Sequence, residues 1–214
     1  MVQGIVGQAG RAAPGSELSA QMFLVRMLLG RLATATLARV VAVSNGGGVS
    51  PVGSVTLQPL VNQTDGAGNA VPQPRLFGCP YVRLQGGANA VILDPQVGDI
   101  GIALFADRDI SSVIATRAQA NPGSRRRFDL SDGLYLGGVL NGTPSQYVQF
   151  NDGGITLTSP IAVTINAPTT INGALAVNGT ISSTGNMTAG GIDLQTHVHG
   201  GVQSGSGSSG GPSG

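Results

Sequence analysis

The chain has no lysine and no tryptophan, a single cysteine (Cys79) and only two histidines (His197 and His199). One cysteine excludes an internal disulfide. In "LFGCPYVRL" it reads as a small buried residue and not as a nucleophile. Aromatic residues make up 4% of the sequence, too few for the core of an ordinary enzyme of this size. Charged residues make up 10%, and the formal net charge is +1. That balance argues against nucleic acid as a partner, which needs a clustered basic face. A long uninterrupted apolar run is also missing. The best candidate, "QMFLVRMLLGRLATATLARVVAV", is broken by Arg26, Arg31 and Arg39 and does not read as a membrane span. The start of the chain shows no export signal, so the expectation is assembly in a cytoplasm.

Glycine is abundant instead, at 35 of 214 residues. Together with Thr, Val and Asn it predicts many strands and tight turns. Residues 1–34 form an N-terminal segment with one helix. Ser16 is placed to cap it, Glu17 suits its first turn, and Leu18, Met22, Val25, Leu29 and Leu32 make one apolar stripe. The expectation is a helix that packs on its own domain. Residues 35–115 read as short strands: "TATLARVVAVS", "SVTLQPLVNQ", "RLFGCPYVRLQ", "IGIALFAD", and "ISSVIAT" as a fifth. Turn-rich loops separate them, which predicts a small closed barrel of the OB type. The strand after Pro95 and Gly98-Asp99 is apolar enough to be covered on both faces. Residues 116–150 read as a connector. Its Arg125-Arg126-Arg127 run is expected to be solvated or paired with carboxylates such as Asp129 and Asp132.

The stretch from 151 to 194 has no aromatic residue, yet it is patterned. Ile155, Leu157, Ile161, Val163, Ile165, Ala167, Ile171, Leu175, Val177, Ile181, Met187 and Ala189 are all at odd positions. The even positions are mostly Thr, Asn, Ser, Pro and Gly. A period of two held this long specifies β structure with one buried face. Asn-Gly recurs at 172 and 178, a spacing that suggests a β-helix or β-prism. One copy has too little apolar side chain to cover itself and leaves open edges. Several identical chains about one axis would close those edges.

Residues 195–214 hold the histidine pair and a Gly/Ser tail. In an extended strand His197 and His199 point to one side. Three chains on an axis would supply six imidazoles, an octahedral set suited to Fe(II); two chains would supply four, which suits zinc or copper. Asp193 is a candidate carboxylate for a hard cation such as calcium. The odd-inward parity is broken by Ile192 and Leu194. A one-residue slip at Gly190-Gly191 and a second turn near Gln195 or Thr196 would restore the histidines to the axis.

These residues carry a resemblance. "TTINGALAVNGTISSTGNMTAGGIDLQTHVHGGVQSGSG" resembles the C-terminal shaft and tip of the central baseplate spike of contractile-tailed phages. "GCPYVRLQGGANAVILDPQVGDIGIALFADRDI" with "SRRRFDLSDGLYLGG" resembles the N-terminal OB-fold region of that family. The matches cover most of the chain from about residue 35, and the H-x-H tip is the most specific part. The resemblance implies an all-β homotrimer with a short N-terminal helix, an OB-fold collar, an intertwined β-helix shaft and a small metal-bound apex. It implies one iron per trimer, with His197 and His199 as ligands, and in some relatives calcium and chloride inside the shaft. It places the protein at the virion tail baseplate, with hub and tail-tube proteins as partners. On sheath contraction the tip would pierce the host outer membrane. No enzymatic role is expected, because the chain has no paired catalytic carboxylates and no room for an inserted lysozyme domain. The alternative is a trimeric receptor-binding tail fibre or tailspike.

Overall fold

The structure is a computed structural model that describes residues 17–201 and 205–206. Ser16, expected to cap the first helix, and most of the Gly/Ser tail lie outside the described residues. The fold is mostly β, and the chain divides into two compact units, Met1–Ser145 and Gln146–Gly214.

The first unit begins with α1 (Glu17–Leu29). Leu, Met, Gln and Arg are good helix formers, and Glu17 in the first turn complements the helix dipole. Gly30 follows the last residue, and two tighter i to i+3 turns end the helix, Arg31 N–H to Leu28 O and Leu32 N–H to Leu29 O. The expected packing on its own domain is not found. Leu18, Met22, Val25, Leu29 and Leu32 are all exposed, and among the described residues no element packs broadly on α1.

The strands of this unit are β1 (Ala35–Ser44), β2 (Ser54–Pro59), β3 (Gln63–Thr64), β4 (Ala70–Val71), β5 (Leu76–Pro80), β6 (Leu84–Gly86), β7 (Asn89–Val91), β8 (Ile100–Phe105) and β9 (Gly133–Gly138). Five of them form one antiparallel sheet in the order β5-β2-β1-β8-β9. The sheet curls until its outer strands meet. Tyr81, just after β5, bridges Tyr135 of β9 in parallel, and the Val82 N–H donates to Tyr135 O at 2.9 Å. Two glycines allow the curl. Gly78, at φ +66°, sits where the β2–β5 register shifts. Gly101 has no side chain because a Cβ there would overlap the Gly137 carbonyl and the Tyr135 ring.

The alternation in β2 puts Val55, Leu57 and Pro59 inside. They meet Ala38 and Val40 of β1, Leu76 and Cys79 of β5, Ala103 of β8, Tyr81 and Tyr135. Cys79 is buried, as its sequence context suggested. β8 is not covered on both faces as expected: Gly101 and Ala103 are buried, and the residues between are only partly so. Its small residues let β1 and β9 approach closely on either side.

Two further expectations for this unit need correction. "ISSVIAT" is not a strand but α2 (Ser111–Thr116). Its β-branched residues favour a strand, but local hydrogen bonds decide the outcome. Asp109 Oδ1 accepts from Ser111 N–H at 2.9 Å, and Arg117 closes the helix in the left-handed region at φ 52°. The fifth strand is β9, which lies in the stretch expected to be a connector. It follows a short 3-10 turn, Leu130–Asp132, capped by the Asp129 side chain on Ser131 N–H.

The second unit opens with a hairpin, β10 (Tyr147–Asn151) against β11 (Gly154–Thr158), turning on Asp152-Gly153. The first of these strands was also expected to be connector. Val148 pairs with Leu157 and Phe150 with Ile155, so four apolar side chains share one face, all exposed. Residues 159–187 carry no strand within the single chain. A last hairpin, β12 (Thr188–Ala189) and β13 (Ile192–Asp193), precedes the histidines.

Candidate metal-binding apex

The break in parity resolves at Gly190-Gly191, and not as a slip. Both residues have positive φ, 58° and 82°. That is the backbone of a two-residue type I′ turn, which glycine adopts without strain. The chain reverses: Ala189 pairs with Ile192 and Thr188 with Asp193, and the Leu194 N–H donates to Met187 O at 2.8 Å. A two-residue turn pairs odd positions with even ones. Met187, Ala189, Ile192 and Leu194 therefore lie on one face, and the alternation continues through the reversal. Asn-Gly and Gly-Gly pairs flanked by alternating residues are hairpin signals, so the sequence did hold this information.

A second turn follows where one was expected. The His197 N–H donates to Asp193 O at 3.1 Å, a helix-like i to i−4 closure. Asn186 Oδ1 accepts from Gln195 N–H at 3.2 Å and ties the turn back to the first hairpin strand. Asp193 is half-buried, and its carboxylate is engaged: Oδ1 accepts from Thr188 Oγ1 at 2.6 Å.

His197 and His199 are brought together. Their ring centroids are 5.0 Å apart with planes at 79°, edge to face. His197 Nδ1 lies 3.1 Å from both Asp193 O and Leu194 O. Carbonyls only accept, so these contacts select the tautomer with hydrogen on Nδ1 and leave Nε2 as the free lone pair. Orienting a ligating imidazole through its other nitrogen is a common second layer of a metal site. The donor set thus fits a borderline transition metal through His197 Nε2. Among the described residues, no group of three or more His, Cys, Asp and Glu could hold a metal within one chain.

The other candidate residues do not join this site. Arg126 pairs with Asp132 through Nε and Nη2, at 2.7 and 2.9 Å, and with Asp109 through Nη2 at 2.8 Å. The expectation of pairing holds for Asp132. Asp109, the second partner, is distant in sequence and was missed; Asp129 is used instead as a cap. Hydrogen bonds from Ser111 hold the Asp109 carboxyl down at about 2, despite burial, which opposes the shift. Arg127 stacks over Phe128 at 5.9 Å. It also borders an open cleft with Arg31, Arg75 and Phe77. Cys79 is pushed up to about 11 by burial, which removes thiolate chemistry at neutral pH. Sequence reasoning also missed Arg83. It is almost fully buried, pairs with Asp94 at 2.6 Å and donates to Ser50 O, pinning the β1–β2 loop.

Two family models match the chain. The GpV Apex motif covers residues 191–213, which begin at the second glycine of the turn and include both histidines. The phage protein Gp138 N-terminal domain covers residues 46–138, from the β1–β2 loop to the end of β9. Together the two matches support a phage baseplate spike protein of the gpV-like kind. A search of curated proteins finds no match. The matched domains point to a structural protein of the phage tail. Its two family matches fall one in each compact unit, and neither covers residues 139–190. The histidine pair lies in the matched apex; Arg126 and its two buried carboxylates lie in the matched N-terminal domain.

Proposed function

We propose that three copies of this chain form a rigid, non-enzymatic central spike whose tip pierces the host outer membrane when the tail sheath contracts. In this reading residues 35–138 are an OB-fold collar that meets hub and tail-tube proteins. Residues 151–194 are an intertwined β-helix shaft, and residues 195–214 an iron-bound apex. Sheet order and closure support the collar. With the parallel meeting of β5 and β9, the five strands circle as first, second, third, fifth and fourth in chain order.

One observation carries the shaft. Ile161, Val163, Ile165, Ile171, Leu175, Val177 and Ile181 keep a strict odd spacing yet are all exposed in the single chain. Fully burying such a side chain is worth about 1.5–3 kcal/mol. Three chains wound together would bury that row and satisfy the free backbone groups of residues 159–187. Rigidity then comes from closure without edges. No buried carboxylate pair or open pocket is required for this work. Nucleic acid is not needed for this work, and Arg126, the middle residue of the one arginine run, is tied to Asp109 and Asp132.

At the apex, His197 and His199 from three chains would supply six imidazoles. The bound iron would act as a cross-link where packing is poorest. His197 contributes a pre-oriented Nε2, and the Gly190-Gly191 turn returns the chain to the point. Because only the assembled trimer presents the whole ligand set, metal binding and assembly favour each other.

The test is mass in solution combined with elemental analysis. The expected result is a trimer with one iron per three chains. Replacing His197→Ala and His199→Ala together should remove the iron and leave melting of the collar unchanged. A monomer, or a metal bound once per chain, would overturn the reading. A trimer that binds surface glycans and carries no iron would favour a receptor-binding fibre.

A further inference from the structure

The helix α1 is the part of the first unit that the spike reading leaves unused. It has 13 residues, and isolated helices of that length are marginal in water. Among the described residues nothing covers its apolar side chains: Leu18 is 66% exposed, Val25 54% and Leu29 59%. Such a face needs a cover.

The spacing says what. Leu18, Met22, Val25 and Leu29 advance by four, three and four residues within the helix, the seam of a coiled coil. Met22 and Leu29 then occupy the a positions, and Leu18 and Val25 the d positions. A leucine at a with a β-branched residue at d turns preference away from two strands and towards three or four. Leu28 falls at g, beside the seam, which widens the apolar face in the way a bundle of more than two helices needs. Gln21 at g and Arg26 at e are five residues apart, the spacing at which flanking polar side chains of parallel neighbours meet. A lipid surface fits less well. Interfacial helices carry a strongly charged face, and α1 has one basic residue, Arg26. Among the described residues no helix is long and apolar enough to cross a membrane.

We propose that α1 zips in parallel against the α1 of two further copies, with Leu18, Met22, Val25 and Leu29 on the bundle axis. This rests on the trimer proposed above. The bundle would be a clamp at the N-terminal part of the chain, independent of the histidines.

Cysteine cross-linking in the full chain tests it. Val25→Cys puts a thiol on the seam; Ala20→Cys puts one at f, on the outward face. The native Cys79 is buried and does not compete. Each variant is exposed to mild oxidant, interchain disulfides are followed on a non-reducing gel, and mass is measured by light scattering. The expected result is a trimer in which Val25→Cys cross-links roughly tenfold faster or more, from the high effective concentration on an axis. A trimer in which the two positions react alike overturns the bundle and leaves the spike reading intact. A monomer removes both. Sedimentation of the unaltered chain with phosphatidylglycerol vesicles, lost in Leu29→Asp, would assign the seam to lipid and overturn the bundle as well.

Discussion

Residues 35–138 bury Ala38, Val40, Val55, Leu57, Leu76, Cys79, Tyr81, Ala103 and Tyr135 around one another. From Gln146 onward, among the described residues, none is buried. The two regions have similar shares of aliphatic residues, so composition does not explain the difference. Sheet closure does. In the first region the alternating face of β2 curls round to meet β1, β5 and β9, and each apolar row finds another row of the same chain. In the second, the alternation runs for some 35 residues with only local hairpins. An apolar row with no opposing row in its own chain stays exposed, and under the proposed assembly a second chain would cover it. The same period-two pattern therefore specifies a self-sufficient core or an interface, depending on whether the chain returns to face itself.

The largest effect that would break this contrast is a cavity in the closed region. Leu57→Ala should cost about 2–5 kcal/mol, read as a lower denaturant midpoint for the first unit. Ile165→Ala, the same chemical change in the other region, should move that transition by no more than about 0.5 kcal/mol. Equal losses would mean that the two regions fold as one.

Next in size is the ion cluster. Arg126→Ala leaves Asp109 and Asp132, at 2% and 1% side-chain exposure, without their shared cation. It should lower the melting temperature clearly, whereas Arg125→Ala should not. Comparable shifts in the two variants would show that the cluster is solvated and incidental.

Acid sharpens the same point more gently. The folded Asp109 carboxyl titrates at about 2, below the ordinary 3.8. A depressed carboxyl contributes stability that is fully present above its unfolded value and is lost as pH falls through its folded one. The first unit should therefore lose stability between about pH 4 and pH 2, and Asp109→Asn should flatten that part of the melting curve. An unchanged slope in the variant would count against Asp109 as a source of the acid sensitivity.

The smallest effect is chemical. With its thiol pushed up to about 11, Cys79 should react with thiol reagents only on unfolding of the barrel. Fast labelling of the native protein at pH 8 would show that the sheet does not close at β5.

Most of the barrel was legible because its strands sit between Gly, Pro and Asp punctuation and alternate cleanly. β9 was not, since "GLYLGG" is glycine-rich and partners a strand nearly thirty residues earlier. α2 was missed because its β-branched residues say strand, and the Asp109 contact that overrides them is a single side-chain acceptor. The pairing of His197 and His199 was legible from their i, i+2 spacing. The orientation of His197 was not, because it depends on two carbonyls freed by a turn. The α1 seam was legible as spacing, but its exposure belongs to the folded chain.

The Gly190-Gly191 reversal has one more consequence. Among the described residues, the hydrogen bonds that shape this end of the chain, from Asn186 with Gln195 to Asp193 with His197, join residues at most nine apart. The orientation of His197 is thus written in one short stretch of sequence. Changes in length before Asn186 leave those bonds untouched.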